Sequence, residues 1–151
     1  MKVVVIDGQG GRIGKMLVEE IKSRCPGQIL HAVGTNSIAT SSMLKAGADC
    51  AATGENPVRV NSADADIIVG PIGLVIADSL LGEVTAAMAL AVGRSRAQKV
   101  LVPVNKCQCY VAGVAELPLK QYIETAAAKV AELIRGGQAG RQIDRRGGLT
   151  H

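Results

Sequence analysis

The sequence predicts an α/β fold built on a single doubly wound, mostly parallel sheet. Three observations carry that expectation. Val3 to Ile6 are four consecutive β-branched apolar residues, the pattern of a strand buried on both faces. A glycine cluster follows at once, at Gly8, Gly10, Gly11 and Gly14. Beyond it, Ile13, Met16, Leu17 and Ile21 recur largely at helical spacing, with Lys15, Glu19 and Lys22 on the other side. Strand, glycine turn and helix in that order form the phosphate-binding opening of such a sheet. Glycines tolerate positive φ and keep Cβ atoms out of a ligand's path. The N–H groups that open the helix favour an anion. Gly8, Gly11 and Gly14 give G-x-x-G-x-x-G, and Gly8, Gly10 and Gly14 give G-x-G-x-x-x-G. The strict G-x-G-x-x-G would need a glycine at Ile13. A tight turn without a ligand is the competing reading.

The first helix is expected from about Gly11 to Arg24, stopping before Pro26-Gly27. The second strand spans Gln28 to Gly34, with His31 as a packed residue inside it. Dinucleotide sites place an Asp or Glu about twenty residues past the glycines, to accept the ribose hydroxyls. No carboxylate stands between Glu20 and Asp49. The strand ends instead in Thr35-Asn36-Ser37, whose side chains suit a ribose contact or a helix cap. No arginine accompanies them to take a 2′-phosphate.

A short helix follows from Ile38 to Ala46, then a third strand from Ala48 to Thr53 and a loop containing Glu55. Val58 to Ala65 reads as a short strand or a poor helix. Ile67 to Gly70 is the fourth strand, and Gly70-Pro71-Ile72-Gly73 makes a second turn of small or rigid residues. In the expected strand order 3-2-1-4-5, the turns after strands one and four flank the crevice where the order reverses. The next helix is placed from about Asp78 or Gly82 to Ala91. It is too apolar for one wet face, so a second subunit is expected to cover part of it. Asp78, Ser79 and Glu83 near its start are caps or site residues.

The fifth strand is Val100 to Val104, followed by Asn105-Lys106-Cys107-Gln108-Cys109 on the same edge. Tyr110 to Val114 suggests a further strand, giving five or six in all. Pro118 opens the last helix, where Leu119, Ile123, Ala126, Val130, Leu133 and Ile134 hold helical spacing. Gly136-Gly137 is read as its end. One domain over residues 1–135 and a disordered Gly/Arg-rich tail over 136–151 are expected.

Composition narrows the function classes. A chain of 151 residues has no room for a separate substrate domain. Phe and Trp are absent and Tyr occurs twice, so the core must come from Val, Ile, Leu, Ala and Met. That leaves no aromatic platform for single-stranded nucleic acid. The net charge is +4, and the last sixteen residues carry two of the four. This is a solvated surface rather than a nucleic-acid face. No signal peptide or membrane-length run is read, and the four cysteines are expected as thiols in a cytoplasmic protein.

The chemistry-bearing residues are few. Cys107-x-Cys109 lacks a second Cys or His pair, so no metal is expected. Cys107 follows Lys106, which makes it a candidate nucleophile. Asp7 closes the first strand, where cofactor loops prefer a small neutral residue. A carboxylate there would repel phosphate unless it binds a backbone N–H, a hydroxyl or a cation, and so it counts against a dinucleotide. Asp7, Asp78 and Cys107 are the catalytic candidates, and catalysis itself is left open. Asp7, Asn36, Glu55, Asp78 and Asn105 are expected to line one crevice.

Gly8-Gln-Gly-Gly-Arg-Ile-Gly14 resembles the cofactor loop of dihydrodipicolinate reductases, over the first turn only. A longer resemblance runs from residue 1 to about residue 134. Val5-Ile-Asp-Gly-Gln-Gly-Gly, Val33-Gly-Thr-Asn-Ser-Ile-Ala-Thr-Ser, Val69-Gly-Pro-Ile-Gly, Ala77-Asp-Ser-Leu-Leu-Gly-Glu and Pro103-Val-Asn-Lys-Cys carry it. They are similar to an uncharacterised family of short bacterial proteins, a domain of unknown function. The resemblance implies a Rossmann-like fold and no activity.

Two readings follow. In the first, the chain is a homo-oligomer binding a nucleotide cofactor, NAD or NADP, as a minimal oxidoreductase or a sensor. The binding set is Gly8, Gln9, Gly10, Gly11, Arg12, Ile13, Gly14, Thr35, Asn36, Ser37, Gly70, Pro71, Ile72, Gly73 and Asn105. In the second, a non-enzymatic oligomer has glycine turns that hold another anionic metabolite or nothing.

Overall fold

The computed structural model describes residues 1–104 and 109–147. Five parallel strands form one sheet in the order β3-β2-β1-β4-β5. They are β1 (Val3–Asp7), β2 (Leu30–Gly34), β3 (Cys50–Thr53), β4 (Ile67–Pro71) and β5 (Gln98–Val102). The helices are α1 (Arg12–Arg24), α2 (Ser37–Lys45), α3 (Glu55–Asp64), α4 (Ala86–Arg94) and α5 (Leu119–Gly147). The α/β class and the strand order agree with the sequence expectation.

The apolar run Val3 to Ile6 is fully buried because both faces of the sheet are covered. Alternation sorts its side chains. Val3 and Val5 join Leu17, Val18 and Ile21 of α1 and Ile123, Ala127 and Val130 of α5 on one face. Val4 and Ile6 join Val58 of α3 and Met88 and Val92 of α4 on the other. The register sets Val3 beside Leu30 and Ile67, so the central strands end together at Asp7, Gly34 and Pro71. The reversal of strand order lies between β1 and β4, and the crevice opens there.

The structure corrects four readings. Glu55, expected in a loop, opens α3, which runs to Asp64 and settles Val58 to Ala65, left open between strand and helix, as mainly helix. The helix expected from Asp78 or Gly82 begins only at Ala86, where the Thr85 hydroxyl accepts the Met88 N–H at 3.1 Å. The chain before it cannot be helical, because Asp78, Leu80, Leu81 and Gly82 all have positive φ. Tyr110 to Val114 forms no strand. Finally, α5 does not end at Gly136-Gly137 but runs to Gly147. A Cβ on Gly137 would collide with the Met1 thioether, so this glycine serves close packing and not helix termination. No helix among the described residues is long and apolar enough to cross a membrane.

Candidate functional site

The site is built on the turn from β1 into α1. The Gly11 N–H donates to the Gly8 carbonyl at 2.9 Å and closes the turn, with Gln9 at φ 50° and Gly11 at φ 74°. The glycines have distinct reasons. A Cβ on Gly11 would lie 2.8 Å from the Ala39 Cα, and one on Gly14 would lie 2.8 Å from the Met43 Cγ, so both let α2 approach. A Cβ on Gly8 would lie 2.6 Å from the Thr35 hydroxyl. Gly10 alone of the four faces open space, with nothing within 4 Å of a Cβ.

Asp7 faces inward. Its two carboxylate oxygens accept the N–H of Gly8 at 2.8 Å and of Gly14 at 2.6 Å. The acid is therefore a brace for the loop, with both oxygens occupied. Burial pushes its carboxyl above its ordinary value, the N–H groups of Gly14, Gly8 and, more weakly, Ile13 oppose that, and the Glu83 charge adds to it. Arg12 and Ile13 open the helix, so their N–H groups have no carbonyl within it to reach. Both residues line a cleft of about 350 Å³ above the loop. Its floor is Asp7 to Ile13 and its walls are Pro71, Leu80, Val104 and Leu119.

Glu83 is bonded to the loop without lining the cleft. Its Oε1 accepts the Gln9 N–H at 3.0 Å, the Thr35 hydroxyl at 2.8 Å and the Asn36 amide at 2.6 Å. Burial acts to raise its pKa, but the donors from Asn36, Gln9 and Thr35 outweigh it and hold the carboxyl below its ordinary value. Asn36 is the cap of α2 that the sequence suggested, and it also ties the loop to Glu83. Its Oδ1 caps α2 by accepting the Ala39 N–H at 2.9 Å, while Nδ2 donates to Glu83 and to the Gln9 carbonyl.

An unusual backbone delivers Glu83. Leu80, Leu81 and Gly82 have φ of 54°, 55° and 89°, a single left-handed turn. Each non-glycine residue in that conformation costs roughly 1–2 kcal/mol. The Asp78 N–H donates to the Val84 carbonyl at 2.7 Å across the turn, and the Ser79 hydroxyl donates to the Gly73 carbonyl. Leu80 is buried against the loop, whereas Leu81 is 98% exposed.

Of the residues singled out in the sequence, Gly8 to Ile13 and Pro71 share the cleft, as does Asp7. Thr35 and Asn36 do not line it; they bond to Glu83, which holds the Gln9 N–H of the loop. Gly14 lies behind the loop. Gly70 is buried in the sheet, where a Cβ would collide with the Ile6 carbonyl. Ile72 borders a separate small depression with Tyr110 and Tyr122. Gly73 is buried, and Ser37 is exposed at the start of α2. Glu55 and Asp78 are exposed and do not line the cleft. Asn105 and Cys107 lie outside the described residues. Leu80, Val104 and Leu119 were not anticipated as cleft walls. The glycine-rich turn was legible because it is local. Leu80 was hidden because its apolar neighbours read as a helix. Among the described residues, no group of three or more His, Cys, Asp or Glu side chains is placed to hold a metal ion.

Parallel strands in this order, with a glycine turn leading into α1, define a Rossmann-like α/β protein. The chain belongs to the family described as Domain of unknown function (DUF3842), whose model matches residues 2–135. That agrees with the long resemblance found in the sequence. No curated protein and no solved structure matches the chain.

Proposed function

We propose that the protein binds a nucleotide cofactor, NAD or NADP, at the carboxyl edge of the sheet, with its pyrophosphate at the start of α1. One observation carries this reading. The loop opens into a cleft of about 350 Å³ at the point where strand order reverses, and Gly10 leaves its floor bare. The Arg12 N–H and the α1 dipole favour an anion there. Arg12 is exposed at the first helical position and makes no ion pair among the described residues.

A thermal-shift series with NAD, NADP, NADH, NADPH, ATP and flavin nucleotides tests the reading. A ligand that binds only the folded state raises the melting temperature by mass action. The expected result is a rise with a nicotinamide dinucleotide that disappears in Gly10→Val. No rise with any of them would favour a purely structural turn or another anionic ligand.

The second reading, a non-enzymatic oligomer, draws on a different face. Leu90 of α4 is 51% exposed and Val60 of α3 is 58% exposed. Native mass spectrometry reports both the subunit count and any ligand retained on purification, and so separates the two readings.

A further inference from the structure

We propose that Glu83 is the ribose acceptor of this site and makes it select the dinucleotide that lacks a 2′-phosphate. The inference rests on the nucleotide reading above and assigns its specificity. In sheets of this kind the carboxylate that takes the ribose hydroxyls stands at the end of the second strand. Here β2 ends in Gly34 and is followed by Thr35 and Asn36, with no acid in reach along the sequence. The structure supplies one from elsewhere. Glu83, 48 residues beyond Thr35 along the chain, has its carboxylate on the Thr35 hydroxyl and on the Asn36 amide. The same oxygen holds the Gln9 N–H of the glycine loop. The charge therefore bridges the segments that follow β1 and β2, and it reaches the cleft through Gln9, which lines it.

The hydrogen bonding says what this carboxylate is suited to receive. All three donors converge on Oε1, which leaves Oε2 as an acceptor for hydroxyl groups. A ribose offers two such donors, at its 2′ and 3′ positions. A 2′-phosphate offers none when fully ionised and would set two anions together. Glu83 forms no ion pair among the described residues that would offset that repulsion. Glu83 is carried on a turn with Asp78, Leu80 and Leu81 at positive φ, and strain of this kind concentrates at ligand sites.

Isothermal titration of the full chain and of Glu83→Gln with NAD, NADP, ADP and inorganic pyrophosphate tests the proposal, with circular dichroism reporting that each variant is folded. The wild type is expected to bind NAD at least about tenfold more tightly than NADP, a difference of about 1.4 kcal/mol. Glu83→Gln is expected to weaken NAD, to bring the ratio close to one and to leave pyrophosphate binding intact. NADP binding as tight as NAD in the wild type would overturn the ribose assignment while sparing the nucleotide reading. So would an unchanged preference in a folded Glu83→Gln. Absence of binding by all four ligands would overturn both. Should Glu83→Gln fail to fold, titration of the wild type with 2′-deoxy-ADP against ADP decides. Loss of affinity without the hydroxyl supports the assignment, and equal affinity overturns it.

Discussion

The Glu83 carboxylate accepts the N–H of Gln9 at 3.0 Å across 74 residues of sequence. This bond ties the loop that follows β1 to the turn that precedes α4. Thr35 and Asn36 donate to the same oxygen, so three segments meet on one atom. Removing it leaves all three donors unpaired. Glu83→Ala is expected to lower stability by about 1–3 kcal/mol, measured by urea unfolding, with a smaller loss in Glu83→Gln.

The same carboxylate sets an acid dependence. Its folded pKa lies below the ordinary 4.5, so its stabilisation is present above pH 4.5 and is lost as pH falls through the folded value. Asp49, bonded to Lys22 and to the Leu30 N–H, behaves alike below its ordinary 3.8. Asp7 opposes both. Its pKa is raised, so its contribution grows as pH falls toward 3.8. The stability gap between wild type and Glu83→Gln should therefore narrow as pH drops below about 4.5, in denaturant titrations at successive pH values.

Asp7 is held by geometry rather than by charge alone. An asparagine there keeps one acceptor but turns an amide N–H₂ toward a backbone donor, Gly8 or Gly14. Asp7→Asn should destabilise by about 1–3 kcal/mol although it removes a buried charge. For a domain of this size that is roughly a 2–4 °C drop in Tm per kcal/mol, readable by calorimetry.

The loop glycines should separate cleanly on substitution. Gly11→Ala meets the α2 backbone at Ala39 and requires φ 74°, so a loss of about 2 kcal/mol or more is expected. Gly10→Ala meets no neighbour and should change stability by no more than about 0.5 kcal/mol. A valine at Gly10 is the useful ligand-blocking variant, whereas one at Gly11 would confound binding with folding. Thermal melts of the Gly11→Ala and Gly10→Ala variants check this ordering.

Leu81 is an exposed leucine in the left-handed region, at φ 55° and 98% exposed. Asparagine adopts that conformation at lower cost and loses no buried contact here. Leu81→Asn should stabilise the protein by up to about 1 kcal/mol and raise its Tm. A fall in Tm would mean that Leu81 has a partner in the intact protein.

What the sequence determined by itself was the frame. Val3 to Ile6, the glycines and the helical spacing of α1 are short-range patterns, and each element's period is written in neighbouring residues. They specified the α/β class, the order 3-2-1-4-5 and the place of the crevice. The missing carboxylate after β2 was also legible. Its replacement was not. Glu83 looked like a cap on a helix that does not start until Ala86, and only the left-handed turn carries it to Gln9, Thr35 and Asn36. Likewise the different duties of Gly10 and Gly11 depend on where α2 lies. A contact between residues far apart in the chain leaves no periodic trace, so it is decided by packing in three dimensions rather than by local pattern.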